Sequence, residues 1–198
     1  MAGIVDIYNL ALGNLSSTGQ RIELPTESST EAKLCQLHYP MALETLLQSH
    51  DWNFARARPK LVALANDRSE MWAYRYDASY GDLLAIRRLS DALDDPGFIT
   101  DRVPYEYIGD AIYTNMADAY LVYTRKIDDV NKFRPMFKDA LVASLAARIA
   151  FPLTKVESIQ QRAEQAALRL VQLAKIADAN ENFRNPRRVP RHIAARSA

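Results

Sequence analysis

Apolar and polar positions follow three regimes along the chain. Near the start Ile4, Ile7, Tyr8 and Ala11 recur at helical spacing, and Gly13-Asn14 suits a stop. A polar loop over residues 16–29 comes next. Ser28 with Glu31 has capping-box spacing, in which each side chain satisfies a backbone donor at a helix start. The second helix then places Leu34, Leu37, Met41, Leu46 and Leu47 near one face and ends around His50. Pro40 lies inside it, where a missing amide predicts a kink or a break.

Between Trp52 and Lys126 the period changes, and eight of the ten tyrosines and both tryptophans lie there. Trp72, Tyr74 and Tyr76 alternate with Ala73 and Arg75, the two-residue period of a strand with unlike faces. Phe54, Arg56 and Arg58 alternate with Ala55 and Ala57 ahead of Pro59, which favours an edge strand. Residues 84–89 and 120–124 are two further short strands, and Asp94-Asp95-Pro96-Gly97 is a turn signal.

The last third is helical again. Pro135 suits a first turn, and Phe137, Leu141, Leu145 and Ile149 recur every four residues until Pro152 stops or kinks the run. Thr154 and Glu157 repeat the capping-box spacing. Beyond them Val156, Ile159, Ala163, Ala166, Leu170, Leu173 and Ala177 form a seam with a 3.5-residue period, suited to antiparallel packing on another helix. The alanines of both stretches let the helix axes approach closely. The patterns together predict an α+β protein, mainly α. An antiparallel helical bundle is formed by both chain ends, residues 1–51 and 128–182. A small antiparallel β insertion occupies 52–127, and an extended C-terminal tail runs over 183–198.

Composition adds limits. With 198 residues, 48% of them hydrophobic and 25% charged, the chain matches an ordinary soluble domain whose core needs no staple. Cys35 is the single cysteine, which excludes an internal disulfide and fits a reducing compartment. No secretory signal is read at residues 1–10, and the longest apolar run, residues 140–151, is too short for a bilayer core of ~30 Å. The formal net charge is +1, but it is unevenly spread. Arg184, Arg187, Arg188, Arg191 and Arg196 crowd the last sixteen residues without an acid, while residues 1–182 hold 20 basic side chains against 24 acidic ones. Pro186 and Pro190 disfavour helix there, so the tail reads either as a solvated terminus or as an arm that orders on a partner.

Motifs for chemistry are sparse. His38, His50 and His192 lack metal-ligand spacing, and Cys35 with His38 reads as a packed pair. Neither a nucleophile elbow nor a phosphate-cradling glycine loop is present. Asp94-Asp95 and Asp128-Asp129 are adjacent pairs, which do not face one another across a substrate. The expectation is therefore no catalytic residue, no metal and no cofactor. The aromatic residues Trp52, Phe54, Trp72, Tyr74 and Tyr76 read as sheet core, as subunit or tail-interface anchors, or, with their arginines, as a base-stacking surface.

The order of residues resembles the tail tubular protein A family of short-tailed bacteriophages, the head-to-tail adaptor or gatekeeper ring proteins. The likeness begins in Ile4-Val5-Asp6-Ile7-Tyr8-Asn9-Leu10 and continues through His50-Asp51-Trp52-Asn53-Phe54-Ala55 to Met71-Trp72-Ala73-Tyr74-Arg75-Tyr76-Asp77. It resumes in Tyr120-Leu121-Val122-Tyr123-Thr124, Pro135-Met136-Phe137, Leu145-Ala146-Ala147-Arg148-Ile149-Ala150-Phe151-Pro152 and Asp178-Ala179-Asn180-Glu181. After Asp77 the chain reads Ala78-Ser79-Tyr80-Gly81, where the family commonly has a proline and then a cysteine-leucine pair.

The resemblance implies a structural virion protein at the head-to-tail interface, made in the host cytoplasm. It would be monomeric when free and assembled as a ring, commonly a dodecamer, below the portal. Such a ring extends the DNA channel without sequence-specific contact and offers a platform to the tail nozzle protein. The five tail arginines are the candidate portal contacts. The alternatives are a nucleic-acid-binding module using the basic tail and aromatic sheet, and a tail-associated cell-wall hydrolase.

Overall fold

A computed structural model describes residues 3–15, 21–90 and 103–181. Among these residues the fold mixes α and β structure, with four helices and two antiparallel sheets. The helices are α1 (Ile4–Gly13), α2 (Thr30–Gln48), α3 (Pro135–Thr154) and α4 (Glu157–Glu181). The strands are β1 (Arg56–Ala57), β2 (Val62–Leu64), β3 (Tyr74–Asp77), β4 (Leu83–Ser90), β5 (Tyr105–Ile108), β6 (Ala111–Thr114) and β7 (Tyr120–Arg125). One sheet has the order β1-β7-β4 and the other β2-β3-β6-β5.

Two apolar clusters hold these elements. The larger takes Ile7, Tyr8 and Ala11 from α1, Cys35, Leu43 and Leu47 from α2, and Phe137, Leu141, Leu145 and Ile149 from α3. Trp52 and Ala55, which the sequence places in the β region, belong to this cluster. The second joins Tyr76, Leu89, Ile112, Leu121 and Tyr123 between the two sheets. Strand β4 serves both, with Leu84 packed on the helical core and Leu83 and Ile86 on the other. The three-stranded sheet thus lies between the helices and the four-stranded sheet.

Several local expectations shift. Helix α2 is capped by Ser29, whose hydroxyl accepts from the Ala32 amide, rather than by Ser28. It runs through Pro40 unbroken, because that proline is exposed and the carbonyl it leaves without a donor can turn to water. Its buried face is Ala32, Cys35, Tyr39, Ala42, Leu43, Leu46 and Leu47, which leaves Leu37 66% and Met41 58% exposed. Helix α3 likewise passes Pro152 and ends at Lys155, in the left-handed region at φ 56°. Thr154 belongs to α3, its hydroxyl donating to the Ala150 carbonyl at 2.7 Å, so it does not form the expected capping box with Glu157.

The seam on α4 is also displaced. Ala167, Ala174 and Asp178 are buried against the rest of the fold, whereas Val156, Ala166 and Leu173 are exposed. A straight helix of 3.6 residues per turn drifts off a 3.5-residue seam by ~20° per heptad, so α3 covers only part of it. In the β region, β1 is an edge strand as Pro59 suggests, but residues 53–55 make a 3-10 turn that points Trp52 and Phe54 inward. Strand β3 starts at Tyr74, leaving Trp72 outside it. Strands β2, β5 and β6 add to the set read from periodicity, and β5 and β6 join through Gly109, whose φ of 57° suits a two-residue hairpin. Residues 94–97 and 183–198 lie outside the described residues.

Candidate functional site

One polar junction centres on Asp178, on the last turns of α4 and 5% exposed. Its Oδ1 accepts from the Asn53 amide at 3.0 Å, and its Oδ2 accepts from His50 Nε2 at 3.1 Å. Asn53 Nδ2 donates in turn to the Asp178 carbonyl at 2.6 Å. These bonds join the end of α4 to the segment leaving α2, with the Trp52 ring edge-on to His50 at 4.9 Å. A buried carboxylate is tolerable because each oxygen has a donor. Only the fold shows that Asp178 and His50, 128 residues apart along the chain, meet.

A second junction ties the sheet to α2. Arg87 on β4 donates through Nη2 to the carbonyls of Leu47, Gln48 and His50, at 3.2, 2.9 and 2.6 Å, and through Nε to Thr124 Oγ1 at 2.8 Å. A guanidinium there satisfies the orphan carbonyls of the helix end and meets its negative dipole. Burial acts to lower the Arg87 pKa, the Asp51 carboxylate opposing that shift. Both junctions use buried or half-buried polar groups to fix elements against one another.

The outer face of the four-stranded sheet is the other candidate. Arg75 on β3 and Arg68 from the loop before it lie over the Tyr113 ring, their guanidinium carbons 5.7 and 5.2 Å from its centroid. The Tyr113 hydroxyl donates to Asp67 Oδ1 at 2.9 Å, which holds that carboxyl below its ordinary range and raises the phenol. Trp72 Nε1 donates to Glu106 Oε2 at 3.1 Å, and Arg68 reaches the same oxygen at 3.5 Å. Carboxylates partner both arginines, so the patch is an ordered, charge-balanced surface.

The five nominated aromatics separate. Trp52 is 1% exposed, packs on Phe137 and donates to the Leu46 carbonyl, while Phe54 is half-buried against Phe133 and Phe137. Tyr76 is buried, its hydroxyl donating to the Met116 carbonyl. Trp72 and Tyr74 remain accessible, Tyr74 stacked on Tyr76. Trp52 and Tyr76 are therefore core anchors without surface to offer a partner. Arg184, Arg187, Arg188, Arg191 and Arg196 lie outside the described residues.

No family model matches the chain, and no curated protein matches it. Among the described residues no three His, Cys, Asp or Glu side chains gather as a metal site, and no helix is long and apolar enough to cross a membrane. Cys35 is fully buried, and burial pushes its thiol up to about 11. Tyr8 and Tyr39, edge-to-face at 5.6 Å in the same core, are pushed up to about 12 by the same cause.

Proposed function

We propose that this protein is a structural adaptor of the tail tubular protein A type, which assembles as a ring between portal and tail nozzle in a short-tailed phage particle. The observation that carries this reading is a tied frame that leaves aliphatic positions uncovered on several sides. Val62, Leu64, Met71 and Ile108 are exposed around the outer sheet, and Leu37, Met41, Leu168 and Ile176 on the helices. Asp178 meanwhile ties α4 to the segment leaving α2, and Arg87 fixes the helices to the three-stranded sheet. Such a molecule suits many modest contacts, which a ring multiplies through effective concentration.

In this reading residues 1–51 and 128–182 act as one helical bundle and 52–127 as the inserted platform. The larger apolar cluster supports the bundle, since it draws on α1 and α2 as well as α3 and α4. The arginine-rich residues 183–198 dock the portal by charge-assisted hydrogen bonds. The test is electron microscopy and co-sedimentation with the cognate portal, for the full chain and for a chain ending at residue 182. Rings on the portal that weaken at least tenfold on truncation are expected. Failure of the full chain to bind overturns the adaptor reading, and unchanged binding by the shortened chain overturns the arm.

A nucleic-acid module is the other reading, favoured by the arginines on Tyr113 beside Trp72. It requires binding of naked DNA that falls steeply with salt. Asp67 and Glu106 already engage those arginines, so the free monomer is expected to show no such binding.

A further inference from the structure

The four-stranded sheet is antiparallel throughout, and its strand number is even, so its edges β2 and β5 run in opposite directions. The register aligns Val62, Asp77, Ala111 and Ile108 in one cross-sheet row and Leu64, Arg75, Tyr113 and Glu106 in the next. Paired positions share a face, so both rows lie on the side away from Tyr76 and Ile112 of the inter-sheet core. Val62 is 65% exposed and Ile108 37%, at the two ends of the first row. Among the described residues no strand pairs with the outer side of β2 or β5. Sheet edges are ordinarily blocked by lysine, proline or a bulge. Neither Val62-Ala63-Leu64 nor Tyr105-Glu106-Tyr107-Ile108 contains a lysine, proline or bulge; both strands are short, and the one charge, Glu106, is already engaged by Arg68 and Trp72.

We propose that β2 of one copy pairs with β5 of the next copy, continuing the sheet head to tail through an assembly of identical chains. Because the edges run oppositely, the junction is antiparallel like every pairing within the sheet. The register that prolongs the rows sets Ile108 against Val62, Tyr107 against Ala63 and Glu106 against Leu64. The occupant is a second copy because one chain carries both complementary halves, the opposite strand directions and the two aliphatic ends of one row. A β2–β2 pair would stop at a dimer and leave both β5 edges open. The head-to-tail junction leaves one β2 and one β5 free after each addition, until a ring closes. This deepens the adaptor reading, on which it rests for the number of copies.

Disulfide trapping tests it on the full chain mixed with its cognate portal, since the adaptor reading has the free chain monomeric. Cysteines at Val62 and Ile108 of one chain, under mild oxidation, are expected to give a ladder of dimers, trimers and larger species on a non-reducing gel. A mixture of Val62→Cys and Ile108→Cys single variants gives dimers and nothing larger. Cysteines at Lys33 and Arg169, exposed polar positions of α2 and α4, measure random collision. The proposal is overturned by a ladder no stronger than that control, or by Val62→Cys alone dimerising as strongly as the mixture. Should the first pair melt well below the parent, Ala63→Cys with Tyr107→Cys reads the same register under the same criteria. Portal binding without the ladder sinks this junction alone; the ladder without portal binding sinks the adaptor role alone.

Discussion

Replacing Asp178 by alanine takes the acceptor from the Asn53 amide and the His50 ring together, in a site that water barely reaches. A loss of about 2–3 kcal/mol is expected in urea unfolding. Asn at the same position keeps one acceptor oxygen and falls between alanine and the parent. A second residue-scale effect comes from the raised Cys35, Tyr8 and Tyr39. Each is neutral in the core and ionises more readily unfolded, so above its ordinary pKa the unfolded chain binds fewer protons and stability falls as pH rises. Cys35 acts from about pH 9 to its folded value of about 11, and the two tyrosines from about 10 to about 12. Melting temperature should therefore fall progressively across pH 9–12. Cys35→Ala, compared with its own value at pH 7, should remove the earliest part of that fall. An unchanged onset in this variant would show that the thiol is not the first group to act.

Among the elements, the α3–α4 hairpin turns on Lys155, which holds φ 56° in the left-handed region without being glycine. Its ammonium lies 5.9 Å over the Phe151 ring, a contact that glycine would give up. Relief of the Cβ conflict outweighs that exposed contact, so Lys155→Gly should raise stability by about 0.5 kcal/mol in thermal or urea unfolding. A decrease would mean that the side chain, rather than the backbone, sets the turn. Helix existence was legible here and helix faces were not. Phe137, Leu141, Leu145 and Ile149 lie in the core as their spacing says, because α3 has neighbours on several sides. On α2, Leu37 and Met41 look as apolar as Leu43 and Leu47, yet only the second pair meets α3 and the helical core.

Across the whole molecule, Arg87 ties the helical cluster to the three-stranded sheet, and β4 packs on both apolar clusters. Unfolding is therefore expected to be a single cooperative event. The two tryptophans permit a direct check, since Trp52 reports the helical core and Trp72 the outer sheet. Fluorescence of Trp72→Phe and Trp52→Phe variants should give denaturation curves whose midpoints, each compared with helix loss in the same variant, coincide. Separate midpoints within one variant would mean that the β layers melt on their own.

Local order belonged to the sequence: the helical starts at Ile4 and Pro135, the edge position of the strand before Pro59, and the Tyr-rich β region between helical stretches. Spacing, turn chemistry and missing amides act over a few residues and can be read without knowing the fold. Tertiary structure alone decided that Trp52 and Phe54 join the helices, that Val62–Leu64 forms a sheet edge, and that Asp178 meets His50 and Asn53. Those outcomes depend on which surfaces arrive opposite one another, and the partners are up to 128 residues apart along the chain.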